Sequence, residues 1–171
     1  MWPWGHAALG YLAYRLLPDG SEIHASRLEL AALLFGTQAP DLVDKPLAWT
    51  VTILPSGRSF AHSIFTLVAF AALAWVVARR VDRPQLAAIA SFGYASHLVG
   101  DALAPLLRGE FQFLAFLVWP LLPLPEYGTD KSFLAHFQGF TPTGFTLFGL
   151  VLSVVALAVF VATEYGRRRR T

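Results

Sequence analysis

The sequence predicts an all-α fold, an integral membrane bundle of about five helices with one interfacial or re-entrant segment. Three observations carry this. Hydrophobic residues fill 56% of the 171 positions and charged residues 14%, against about 25% charged in a soluble domain. Too few polar side chains remain to cover a soluble globule, and the apolar content excludes a disordered chain. Residues 143–163 (TGFTLFGLVLSVVALAVFVAT) carry no charge and are long enough to cross a hydrocarbon core of roughly 30 Å. Residues 84–105 are rich in Ala, Gly and Ser, which let membrane helices approach closely. A single domain accounts for residues 1–171, without internal repeat or linker. There is no cysteine, which excludes disulfides, thiolate zinc fingers, iron–sulfur clusters and Cys nucleophiles.

In chain order, residues 6–17 and 26–39 predict two short helices, partial or tilted spans. The segment GTQAPDLVDKPL (36–47) predicts a proline-stiffened turn that presents Asp41 and Asp44 between Pro40 and Pro46. A span over 62–78 follows, capped by Ser59 and stopped by Arg79 and Arg80. Asp82 caps the small-residue helix over 84–105, which is expected at the centre of the bundle. The aromatic, proline-broken stretch 110–125 reads as the re-entrant or interfacial segment. Thr141 and Pro142 open the last span. The start MWPWGH lacks the basic region of a cleavable signal peptide, so it is expected to be retained.

Lysine and arginine set the expected orientation. With the tail inside, Arg15, Arg27, Arg79, Arg80, Arg83 and Arg167 to Arg170 all fall on the inner side, nine of the 13 basic residues. Lys45, Arg58, Arg108 and Lys131 fall outside. The terminal arginine run therefore reads as a cytoplasmic anchor. The expected partners are membrane lipids and not nucleic acid; the oligomeric state is left open.

Ionisable groups at membrane depth are costly and mark functional sites by default. His97 and Asp101 in YASHLVGDAL are spaced i, i+4 and share a helix face, with Tyr94 one turn earlier. His62 in GRSFAHS opens a span beside Arg58, and His6 opens the first helix beside Trp2 and Trp4. Singly, each has a plain structural reading: a helix-packing hydrogen bond, a cap, a solvated turn, an interfacial anchor. Together they fall at one level. His97 lies roughly 20 Å and Asp101 about 26 Å from the inner end of their helix, at about 1.5 Å per residue. His6, Asp41, Asp44, Arg58 and His62 sit at the same outer face. Histidines and aspartates without cysteine suit zinc, with manganese or iron as alternatives, one ion or two.

The set WPWGHAALGYL, APDLVD, GRSFAHS and SHLVGDAL resembles the membrane-bound metal-dependent hydrolases, the YdjM-like inner-membrane proteins. Gly57 and Ala61 stand where members of that family often carry His and Thr. The motif order is also distantly similar to zinc-dependent phospholipase C, which would map His6, Asp41, His62, His97 and Asp101 onto its metal-binding core. His136 is the spare outer histidine, and His24 falls on the inner side.

The resemblance implies a hydrolase of the cell's inner membrane, with the C-terminus cytoplasmic. His62, His97 and Asp101 would bind the first metal, and His6 and Asp41 would complete the site or hold a second. Asp41 or Asp44 would serve as general base. Arg58, with Lys45, would clamp an anionic oxygen of a phosphoester or lipid-type substrate. Two rivals stand beside this. One is a non-catalytic membrane protein whose His/Asp cluster is structural. The other is a metal or proton transporter, which the scarcity of polar residues in the inner halves of 62–78 and 84–96 disfavours.

Overall fold

The computed structural model describes residues 1–18, 26–126 and 132–168. His24, Lys131, Arg169 and Arg170 lie outside the described residues. Within them there are six α-helices, one 3₁₀ helix and no strand.

Helix α1 (Pro3–Arg15) starts on a proline in its first turn, where the missing N–H costs nothing. Helix α2 (Arg27–Trp49) starts at Ser26, whose side chain accepts from the Glu29 N–H. It does not stop near residue 39. It runs through Pro40 and Pro46, so Asp41 and Asp44 lie one turn apart on a helix and not in a turn. The prolines remove two backbone bonds from α2. The helix persists because its flank packs along α4 and because Asp44 gathers the following loop, as shown below.

Helix α3 (Ile64–Arg80) is capped by Ser63, whose side chain accepts from the Phe65 N–H. Ser59 is not the cap, and His62 stands just ahead of the helix. Helix α4 (Pro84–Arg108) opens after Arg83, not on an Asp82 cap, and closes on Gly109 in the left-handed region (φ 70°). The expected re-entrant stretch is a 3₁₀ helix (Phe111–Val118) packed against α4 and α3. A short α5 (Phe133–Gln138) and a long α6 (Gly144–Arg168) complete the chain.

Helix α4 is central: α1, α2, α3 and the 3₁₀ helix all pack on it, while α6 lies against α1. The α2–α4 crossing is close because both sides carry glycine. A Cβ on Gly36 would lie 2.0 Å from the Ala90 carbonyl oxygen, and one on Gly93 would lie 2.4 Å from that of Leu33. Outward faces are apolar, with Val68, Leu73 and Val77 of α3 and Val154, Leu157 and Val161 of α6 all exposed.

Among the described residues, one helix is long and apolar enough to cross a membrane, over Gly144–Thr163. The other helices fall short for physical reasons. Helix α1, with 13 residues, covers only about 20 Å. Helices α2 and α4 are long enough but carry the polar residues of the site described next.

Candidate metal centre

Two backbone acceptors and one carboxylate orient the histidines. On α4, His97 and Asp101 face inward, and the His97 Nδ1 donates to the Thr37 carbonyl of α2 at 2.7 Å. That bond fixes Nδ1 and turns Nε2 toward the centre. Asp44 is fully buried. It accepts from the backbone N–H of Ser59 (2.8 Å), Ala61 (2.7 Å) and His62 (3.3 Å), and pairs with His62 Nδ1 at 2.8 Å. One carboxylate thus folds the loop and orients its histidine. The Tyr94 hydroxyl donates to the Ala61 carbonyl and ties the same loop to α4.

The two Nε2 atoms consequently meet, 3.1 Å apart. Asp41 Oδ1 lies 3.5 Å from His62 Nε2 and 3.8 Å from His97 Nε2. Asp101 Oδ2 lies 3.4 Å and 3.7 Å from the same atoms. A tetrahedral ion with bonds of about 2.0–2.1 Å needs ligand atoms about 3.3–3.4 Å apart. These five distances lie within about half an ångström of that spacing, before any relaxation around an ion.

His6 of α1 stacks on His97, with ring centroids 3.7 Å apart. Its Nε2 lies 3.3 Å from Asp101 Oδ1 and 3.1 Å from the Met1 carbonyl oxygen. Its Nδ1 is buried without a hydrogen-bond partner, an orphaned lone pair or proton in a polar centre. Gly100 admits this ring: a Cβ there would sit 3.1 Å from His6 Nδ1. Two overlapping ligand groups result, His62 with His97 and Asp101, and His6 with Asp41 and His97. The donor set of imidazoles and carboxylates, their spacing of 3.1 to 3.8 Å and the orphaned Nδ1 all fit a divalent cation.

The centre is buried, with His6, His62 and His97 at 0% exposure, Asp101 at 3% and Asp41 at 8%. Buried carboxylates must be paired, and cations supply this. Arg58 grips Asp101 through Nε at 2.9 Å and a terminal nitrogen at 3.1 Å. Lys45 Nζ meets Asp41 Oδ2 at 2.6 Å, and the Met1 amine meets Asp101 Oδ1 at 2.6 Å. Burial pulls the His62 imidazole down, but hydrogen bonds to Asp101, Asp41 and Asp44 outweigh it, so it is pushed up to about 10.

All five expected ligands, His6, Asp41, His62, His97 and Asp101, come together. Asp44 borders the centre and holds His62. Arg58 and Lys45 hold the carboxylates of Asp101 and Asp41. His136 stands apart, stacked on Trp2 at 4.5 Å and tilted against Trp49 at 5.4 Å. Sequence reasoning missed the Thr37 carbonyl and Gly100. A backbone acceptor carries no residue signal, and Gly100 looks like any small residue of α4.

A protein-family model described as YdjM inner membrane protein matches residues 1–167. No curated protein and no solved structure matches, so the similarity to zinc-dependent phospholipase C rests on motif order alone.

Proposed function

The chain belongs to the YdjM inner membrane protein family, and on that premise we propose that it is a membrane-embedded metal-dependent hydrolase. It acts at the non-cytoplasmic face on a phosphoester or lipid-type substrate. The observation that carries this is the approach of His62 Nε2 and His97 Nε2 to 3.1 Å, with Asp41 Oδ1 at 3.5 and 3.8 Å and Asp101 Oδ2 at 3.4 and 3.7 Å from them. These residues would hold the ion, zinc in first place with manganese or iron as alternatives, and His6 extends the set toward a second. When bound, the ion supplies Lewis acidity, which polarises a phosphoryl oxygen and acidifies water.

The chain's own residues do the rest. Asp44 keeps the His62 ring turned, as carboxylates behind ligating histidines do. Its oxygens already carry four N–H groups, which commits Asp44 to holding the loop; Asp41, whose Oδ2 meets Lys45, would take a proton only as an alternative to holding the ion. Arg58, about one third exposed, is the cation at the mouth that binds the substrate's anionic oxygen. In the full reading the helical bundle spans the membrane about five times, with the C-terminus cytoplasmic.

One observation favours a second reading. His62, His97, Asp41 and Asp101 bring four donor side chains to one centre, enough to close a four-coordinate structural metal site. Hydrolysis of phosphoester lipids by metal-loaded protein separates the two. Turnover that falls on chelation and in Arg58→Ala supports the hydrolase. A stoichiometric ion with no turnover of any phosphoester lipid supports the structural site.

A further inference from the structure

Helices α2, α3 and α4 and the loop before α3 enclose an apolar groove of about 310 Å³, with Phe35, Val43, Phe60, Phe70 and Tyr94 among its walls. Its volume matches the smaller ligand pockets, which run from about 300 to 1,000 Å³. Two wall residues carry a hydroxyl, and both hydroxyls are already committed. Tyr94 donates to the Ala61 carbonyl, and Thr66 donates to the Phe60 carbonyl at 2.6 Å. A peptide, sugar or nucleotide seated there would leave its polar atoms without partners, at a cost of about 1–3 kcal/mol each. A hydrocarbon chain loses nothing. The rim residues Phe35 and Phe60 are half exposed, so the groove opens to its surroundings. For a chain of an inner membrane family those surroundings include lipid tails.

The groove and the metal centre share their walls. Val43 precedes Asp44, Ala61 precedes His62 and Tyr94 lies one turn before His97. The Ala61 N–H holds Asp44 while its carbonyl holds Tyr94. Arg58 is on the same loop, three residues before Ala61.

We propose that this groove seats the acyl chain of an anionic phosphate-headed lipid whose headgroup reaches the metal centre at Arg58. The inference rests on the proposed hydrolase, since it names that enzyme's substrate class as an amphiphile. The occupant is held by hydrocarbon burial in the groove and by charge at Arg58 on the adjoining loop.

The test uses full-length protein in phosphatidylcholine vesicles containing a phosphatidic acid with a photoreactive diazirine in its acyl chain. Labelled residues are located by mass spectrometry. Labelling at Phe35, Val43, Phe60 or Phe70 is expected, falling at least fivefold in Val43→Trp, on chelation and in Arg58→Ala. Phe60→Glu is the second variant, should the tryptophan disturb folding, and bound metal serves as the folding check for both. Equal labelling by a diazirine lipid with an uncharged head would mean a structural lipid, and would overturn the proposal. Labelling absent from the groove, with the groove closed by a second copy or another helix, would overturn it too. If metal- and head-dependent labelling persists but no phosphoester lipid is turned over, the hydrolase reading fails and the lipid site stands.

Discussion

His62 and His97 face each other with Nε2 atoms 3.1 Å apart, both rings fully buried. The two residues come from a loop and from the middle of a helix. Each is held from behind, His62 by Asp44 at 2.8 Å and His97 by the Thr37 carbonyl at 2.7 Å. Two imidazoles so fixed present paired nitrogen donors to whatever lies between Asp41 and Asp101.

Asp44→Asn keeps the shape of the side chain but weakens its grip on the His62 ring. Metal affinity is expected to fall about 10–100-fold, as for other residues behind a ligand. Competition against a chelator measures it. Affinity within twofold of wild type would remove Asp44 from that role. Asp44→Ala also strands the loop N–H groups, each costing about 1–3 kcal/mol, and is expected to lower the thermal midpoint sharply.

Metal binding should be proton-coupled. The metal-free His62 is pushed up to about 10, from an ordinary value near 6.5. A raised value contributes stability that is fully present below about pH 6.5 and is lost as pH rises through about 10. The metal-free protein should therefore lose this contribution in alkali. An ion must displace the same proton, so affinity should rise about tenfold per pH unit between 6.5 and 8. Calorimetry in buffers of different ionisation enthalpy would count about one proton released from His62, and a flat profile would contradict the assignment.

Gly100 gives His6 its place. Gly100→Ala would set a Cβ 3.0 Å from Leu9 Cδ2 and 3.1 Å from His6 Nδ1. Overpacking of this kind costs about 1–3 kcal/mol. The expected result is a lower thermal midpoint with weakened or lost binding of any second ion, while the His62–His97–Asp101 group still takes one. An unchanged midpoint and unchanged stoichiometry would show that His6 does not depend on Gly100.

Arg58 separates binding from turnover. Its guanidinium grips Asp101 at 2.9 and 3.1 Å, so it competes with an ion for that carboxylate. Arg58→Ala is expected to bind metal more tightly than wild type. It should also lose about 10²–10³ in turnover, the usual effect of removing a donor to a developing oxyanion. Loss of both metal and activity would make Arg58 a structural partner of Asp101 instead.

Much of this was legible in the sequence. The HxxxD pair on one face of a small-residue helix gave α4 its central place and gave the centre its core. Asp41 and Asp44 are legible as residues, but their place on a helix is not. Two prolines normally end a helix, and here packing on α4 and the Asp44 hydrogen bonds override them. Ser59 and Ser63 carry the same local cap signal, and only the tertiary contact of the Ser59 N–H with Asp44 separates them. The Thr37 carbonyl was invisible because every residue carries one.

The most direct test is the metal content of the purified, detergent-solubilised protein, by elemental mass spectrometry, beside His97→Ala and Asp101→Ala. The account predicts one or two zinc, manganese or iron ions per chain in the wild type. It predicts loss of the ion held by His62, His97 and Asp101 in both variants, with helical content retained. No bound metal in the wild type after reloading would contradict it, and would leave His62 and His97 as a hydrogen-bonded pair that joins a loop to α4.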